Sequence, residues 1–343
     1  MNMKNHIVYY SLFLSICLFA CTSQGKQEKH QTISYKHRIL VHSDSCILGK
    51  PNQIALSGSY LAITDLNNDK VLYVFNSQTG KKVGEYVNRG QGPGEYFSIS
   101  SLGKWKDGMY LYDVNKREMA EIEFKDSIRI IPRMSFGREL HPTFVPLSDD
   151  TFIGSGFYPE GRFCLMKDSG KQKEYIMEYP SRDEAEKEVT NFAKSQAYSG
   201  GIVAHPSGSL FMAHVSKADM LSFYSYENGN VRLIKETLNS FPDYEYDKEN
   251  QRYLAISRQN PFTHLWGCGN EKYVYLLYSG KSYAEAGERA FLSSRIDVYN
   301  WKGEKVKTLM LDIPIQGMVV SEDDSTMYAI AFNPEPQIVA FDL

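Results

Sequence analysis

Apolar positions along the chain come in short alternating runs, each closed by a polar or glycine-bearing turn. The first set is 60–65 (YLAITD), 71–76 (VLYVFN), the turn SQTG and 82–86. The order returns at 109–113 (MYLYD), 119–124 (MAEIEF) and 128–131, then at 151–154, 163–167 (FCLMK), DSGK and 175–179. It returns again at 210–215 (LFMAHV), 221–226 (LSFYSY), ENGN and 231–236, and at 273–278 (YVYLLY), 295–300 (RIDVYN), WKGE and 306–311. A last set holds 326–332 (TMYAIAF) and 337–343 (QIVAFDL). Alternation of period two between turn signals marks strands. Each set also has a leading strand, at 53–56, 101–104, 143–147, 201–205, 264–268 and 317–320.

These are six four-strand meanders, the sixth one strand short because the chain stops at Leu343. Residues 34–41 (SYKHRILV) precede the first meander and belong to none. An N-terminal strand that completes the last unit closes a ring, and closure removes exposed sheet edges. Four-stranded units of about 40–50 residues around a channel are the propeller pattern. The reading is therefore an all-β, six-bladed β-propeller over residues 34–343, closed by its N-terminal strand. A two-sheet sandwich explains neither the six equal units nor the spare strand. Residues 182–196 (RDEAEKEVTNFAKSQ), between blades three and four, read as a short amphipathic helix with Val189, Phe192 and Ala193 on one side. Residues 241–260, between blades four and five, read as partly helical, and 279–289 as a long hairpin loop.

The first twenty residues lie outside this pattern. Lys4 precedes an apolar run, 7–20 (IVYYSLFLSICLFA), shorter than the roughly 20 residues of a membrane span. It ends in LFA followed by Cys21, so residues 1–20 read as a signal peptide. The junction resembles the lipobox of bacterial lipoproteins, which implies cleavage before Cys21 and its lipidation. Residues 21–33 are polar at first and read as a flexible tether. Thr22, rather than Asp, follows the cysteine. The expected place is the cell envelope: lipid-anchored, at the outer membrane, facing the periplasm.

Charge adds an exclusion. With 38 basic and 41 acidic residues the net charge is −3, which gives no electrostatic case for nucleic acid. Of the five cysteines, Cys46, Cys164 and Cys268 remain in the folded part, without C-x-x-C or Cys/His metal spacing. One disulfide or three buried thiols are both open.

The stretch 88–99 (NRGQGPGEYFSI) looks at first like a phosphate loop. A nucleotide loop needs a helix after its glycines; here strands follow, and Pro93 removes an amide donor. Residues 90–124 instead resemble an NHL-type propeller repeat, with Asp113, Asn115 and Arg117 at the matching places and Asp65 and Asn67 echoing them in blade one. The whole chain is similar to the TolB-like six-bladed propeller lipoproteins of Bacteroidetes. That resemblance implies fold and location, and no chemistry. The glycines then serve a tight turn between blades, with Tyr96 or Phe97 wedged between them.

In a propeller, the connections between blades share one face with the loops joining second and third strands. Near the channel mouth on that face the expected ligand residues are Asp65, Asn68, Arg89, Glu95, Asp113, Lys116, Tyr158, Arg162, Lys217 and Tyr283. Asp65 and Asp113 are equally suited to bonding turn amides in their own hairpins. A calcium-dependent lactonase of the gluconolactonase kind shares the six-bladed ring and needs carboxylates in its channel. The channel strands here offer His205 and His264 and no acidic group. No G-x-S-x-G, H-E-x-x-H or paired-carboxylate motif occurs. The expectation is a non-catalytic binding or scaffolding module without cofactor or metal, gripping a protein, peptide or glycan. The alternative is a hydrolase or lyase, metal-assisted or not.

Overall fold

The structure, a computed structural model, describes residues 31–42, 46, 48–167 and 170–343. The signal segment, Cys21 and residues 21–30 of the tether lie outside the described residues.

Blades one to four are separate four-stranded antiparallel sheets. Blade one comprises Pro51–Ser57, Tyr60–Asp65, Lys70–Asn76 and Lys82–Asn88, from the channel outwards. Blade two follows with Ile99–Trp105, Gly108–Asp113, Glu118–Phe124 and Ile128–Ser135. Blade three has Thr143–Pro146, Thr151–Ser155, Phe163–Lys167 and Gln172–Ile176, and blade four Gly200–Ala204, Leu210–Val215, Met220–Glu227 and Asn230–Leu238. Blade five begins with Pro261–Gly269, Tyr273–Ser282 and Ser293–Asn300. Its outer strand continues without a break into the inner strand of blade six, as Lys305–Val320. Thr326–Phe332 and Pro336–Asp342 follow.

The N-terminal strand completes this ring. His37–Val41 runs antiparallel to Pro336–Asp342, with Ile39 opposite Val339, as the fourth strand of blade six. The segment just before it does something further: Gln31–Tyr35 pairs in parallel with the outer strand of blade five, Gln31 opposite Lys307 and Tyr35 opposite Leu311. Residues 31–33, read as the end of the tether, are thus already paired. One stretch of chain fastens both blades.

The core is divided among the blade junctions. Leu61, Ile63 and Phe75 of blade one meet Ile330, Ile338 and Ala340 of blade six. The opposite sides of the same strands, with Ala62, Leu72 and Val74, meet Met109, Leu111 and Ile122 of blade two. Middle strands are therefore buried on both faces and read as unbroken apolar runs such as 71–75. Outer strands such as Lys82–Asn88 keep one face in water and alternate. A fully buried Leu or Phe contributes about 1.5–3 kcal/mol, so the ring rests on these junctions rather than on the channel.

Three loop-face elements differ from the sequence reading. The helix expected over 182–196 is two short helices, Glu184–Lys187 and Asn191–Ala197. Thr190 starts the second by accepting from the Ala193 amide. The break resets the helical phase, so Val189 and Ala193 are buried while Phe192 is 42% exposed. Residues 241–260 form a hairpin, Tyr244–Asp247 with Arg252–Ile256, in place of a partial helix. Tyr244 and Tyr246 alternate with exposed Glu245, and Asp247 accepts from the amides of Glu249 and Asn250 to make the turn. Residues 279–289 are not a simple loop. Ser282 and Glu285 form a capping box for the one-turn helix Tyr283–Ala286, and the 3-10 turn Gly287–Phe291 follows.

Candidate functional site

The six inner strands enclose an axial channel of about 740 Å³. Its wall is largely backbone and small or apolar side chains, among them Ala55, Ser101, Gly103, Val145, Gly201, Val203, Gly267 and Val319. At the end bearing the short turns, Asp149, Glu271 and Glu322 also line it. This corrects the expectation of a channel without acidic groups, because these carboxylates come from turns that follow the inner strands. Two of the three are engaged at the rim: Glu322 pairs with Lys104, and His205 Nε2 contacts the Glu271 carbonyl (3.2 Å) and carboxylate (3.5 Å).

His264 was expected in the channel wall and is absent from it. Register shifts on both sides of His264 mark a bulged strand, and bulges re-aim side chains. The ring is buried between blades four and five, 5.8 Å from the ring of His214 and 5.7 Å from that of Tyr278. His214, on the second strand of blade four, reaches the channel wall instead. Two glycines make that approach feasible. A Cβ on Gly200 would lie 1.8 Å from the His214 carbonyl oxygen, and one on Gly201 2.4 Å from His214 Nε2. The Gly-Gly pair at the head of the inner strand was the available signal for His214.

The ten expected ligand residues fall into two groups that do not meet. Around blades one and two the polar groups are bonded to their own loops. Asp65 accepts from the amides of Gly49 (2.7 Å), Lys50, Asn67 (2.8 Å) and Asn68. Asp113 accepts from those of Phe97 (2.8 Å), Ser98 (2.9 Å), Asn115 and Lys116. Both are fully buried. Arg89 donates to the Leu66 carbonyl, and Glu95 accepts from the Gly92 amide (3.0 Å). Lys116 Nζ donates to the carbonyls of Gly92 (3.0 Å) and Glu95 (2.7 Å) and lies 4.5 Å from the centre of the Tyr96 ring. Tyr96 is buried between blades one and two and donates to Glu118. Gly94 has φ +71°, which a residue with a Cβ adopts only at a cost.

The second group belongs to blades three to five. Tyr158 is buried in the junction of blades two and three, bonded to His141 Nδ1. Lys217 lies over the Phe262 ring at 5.5 Å, and burial lowers its pKa. Tyr283 is exposed beside Phe291 and donates to Glu288 (3.4 Å). Of the ten, Arg162 lines a cavity: a cleft of about 70 Å³ between blades three and four, under the second helix. Phe157, Tyr179, Ser195, Tyr198, Gly200, Gly201 and His214 complete most of its wall, and the glycines and His214 also belong to the channel wall.

Arg162 is only 3% exposed. Nη1 donates to Ser222 Oγ (3.1 Å) and Tyr224 Oη (3.2 Å). Ser222 in turn donates to Glu236 (3.0 Å), so the carboxylate of this network stands one hydroxyl away. Burial, then the positive charges of His264 and Arg162, hold His214 down at about 3, so it is neutral at pH 7. Burial also holds His264 down at about 4, against the opposing pull of Asp219. Burial pushes Tyr179 up to about 12. The roof is fixed by Glu186, which accepts from the Arg182 amide (2.6 Å) and Tyr198 Oη (2.9 Å), and by Lys194 on Ser181 (2.8 Å).

Cys46, Cys164 and Cys268 are free thiols, and burial raises Cys164 and Cys268 to about 12. Among the described residues no three His, Cys, Asp or Glu side chains stand together as a metal site.

Ring, channel and elaborated loop face define a six-bladed propeller with an axial ligand-sized cavity. The chain belongs to the TolB-like 6-blade propeller-like family, whose profile matches residues 31–323. No curated protein matches it by sequence. Among solved structures it is similar to a Bacteroides fragilis protein described as exported, with TM-score 0.54 and 15% identity over 91% of this chain and 99% of that one. It is also similar to a gluconolactonase of Xanthomonas campestris, with TM-score 0.52 and 6% identity over 86% of each chain. The Cps50 (Swd1) propeller domain of Myceliophthora thermophila gives TM-score 0.50 and 10% identity over 90% and 99%. At these identities the likeness is one of fold.

Proposed function

We propose that the chain is a non-catalytic binding module of the cell envelope, anchored through a lipid on Cys21, that takes a ligand at the loop-face mouth of its channel. The observation that carries this reading is the channel itself. It has the volume of a ligand site, about 740 Å³. Its wall offers shape and backbone rather than a nucleophile with a base, and two of its rim carboxylates, Glu322 and Glu271, are engaged by Lys104 and His205. Envelope placement rests on the run 7–20 and the cysteine after it; a Bacteroides fragilis protein of the same fold is described as exported.

The anchor's point of attachment lies opposite the loop face. Gln31 stands opposite Lys307, close to the turn 301–304 on the short-turn face. The tether thus joins the ring on that side, away from the loop face.

Two experiments test this reading. A photo-crosslinking residue at Phe157, which is 43% exposed at the cleft, gives a discrete adduct in intact cells. The same residue at exposed Arg232 on the outer strand of blade four gives none. Equal labelling at both positions counts against a loop-face site, and stoichiometric calcium or zinc in the purified protein counts against a non-catalytic module. Cys21→Ala abolishes incorporation of a palmitate analogue; undiminished incorporation refutes the anchor.

A further inference from the structure

A buried guanidinium is costly unless a negative charge meets it. Arg162 is buried in the cleft wall, and among the described residues no carboxylate pairs with it directly; Glu236 reaches it only through the Ser222 hydroxyl. Its bonds to Ser222 and Tyr224 use Nη1, while an arginine fork carries five N–H donors and keeps its charge at physiological pH. The ring of Phe163 (5.0 Å) and that of Tyr179 (5.6 Å) soften the charge without neutralising it.

A second observation points to the same space. His214 is 5% exposed, lines the cleft, and its Nδ1 has no hydrogen-bond partner. A neutral imidazole beside a cation supplies one more polar contact and no competing charge. Aromatic side chains, Phe157, Tyr179 and Tyr198, form part of the remaining wall with Ser195 and Ser199.

We infer that this cleft binds the carboxylate of a small organic acid, with Arg162 as its counter-charge, and that the acid's apolar or ring-shaped body lies against the aromatic wall towards the channel. This rests on the binding-module reading and names the ligand class. One guanidinium matches one negative charge, which favours a monocarboxylate over a phosphate dianion. About 70 Å³ fits a headgroup and excludes a whole ligand, while the channel that shares Gly200, Gly201 and His214 has room for the body. Bidentate pairing of a fork with a carboxylate supplies the orientation.

The test is isothermal titration of the full chain in detergent with acetate, benzoate and glucuronate, against benzamide, glucose and inorganic phosphate. At least one of the ring acids binds saturably at one site, and its neutral analogue does not. Arg162→Gln weakens that binding by about tenfold or more, the effect of losing one charge-assisted pair. Phe157→Ala, at an exposed position that leaves the fold intact, weakens it by a smaller factor. The inference fails if none of the acids binds, if benzamide matches benzoate, if phosphate binds more tightly than the carboxylates, or if Arg162→Gln changes nothing. In any of those cases, an undiminished Phe157 crosslink in Arg162→Gln cells leaves the binding-module reading standing.

Discussion

The junction of blades one and two and the junction of blades three and four lie on the same face and are built in opposite ways. At the first, the expected ligand residues are bonded to the loops around them, within their own turns and across to neighbouring connections. Asp65 and Asp113 each gather four backbone amides, and Lys116 ties the glycine loop to blade two. At the second, a cation and an imidazole are buried with bonding capacity left over, next to a cavity. The region that looks like a motif is a joint; the region without a motif is where a ligand would complete the bonding.

Glycines show the same contrast. Gly94 is needed for its positive φ and has nothing within 4 Å of where a Cβ would stand. Gly200 and Gly201 are needed for closeness, since a Cβ on either would collide with His214.

The largest expected effect tests the joint. Asp113→Ala leaves the amides of Phe97, Ser98, Asn115 and Lys116 without their buried acceptor and costs about 4 kcal/mol in urea unfolding. A loss below about 1 kcal/mol would remove the distinction between the two junctions.

The next effect is pH-dependent and belongs mostly to blades three to five. Burial holds His141, His264 and His214 down at about 4, 4 and 3. Each stays neutral in the fold while the unfolded chain takes up a proton from about pH 6.5 downwards. The unfolded state then binds more protons, so stability falls as pH drops from about 6.5 to about 4, and on towards 3 for His214. His141 and His264 each account for roughly 3 kcal/mol by about pH 4, and His214 for roughly 5 kcal/mol by about pH 3. His264→Leu removes two ring nitrogens that lack hydrogen-bond partners and should flatten the acid limb between pH 6 and 4. An unchanged limb would mean that Asp219, 4.0 Å from His264 Nε2, already compensates the proton.

The smallest effect separates the two kinds of glycine. Gly94→Ala costs about 1 kcal/mol through φ alone and leaves carboxylate binding unchanged. Gly201→Ala pushes His214 aside and lowers carboxylate affinity. Titration calorimetry on both variants decides this, and equal affinities would place His214 outside the site.

The ring was legible in the chain because its core lies between blades: both faces of a middle strand are covered, so 71–75 and 109–112 stand out as apolar runs. The closing strand was legible as a surplus. The inserts were not, because 241–260 carries helix-forming Glu, Lys and Gln in a segment whose pairing is set by Tyr244, Tyr246 and Tyr253 against neighbouring aromatics. Within the candidate site, Arg162 was identifiable from its loop. His214 was not picked out: it is the fifth residue of LFMAHV, and the Gly-Gly pair points to it only once the strand register sets Gly201 opposite it. His264 was assigned to the wrong space because bulges leave no mark in alternation.

The central claim is that the polar groups of the two junctions have different duties. It is tested most directly by urea unfolding of Arg162→Met beside Asp113→Ala, each against the unaltered chain at pH 7. Asp113→Ala should lose about 4 kcal/mol. Arg162→Met should lose less than about 1 kcal/mol or gain stability, because it removes a buried charge that no carboxylate pairs. A loss of 3 kcal/mol or more in Arg162→Met, at about the level of Asp113→Ala, would make Arg162 a structural residue and contradict the account.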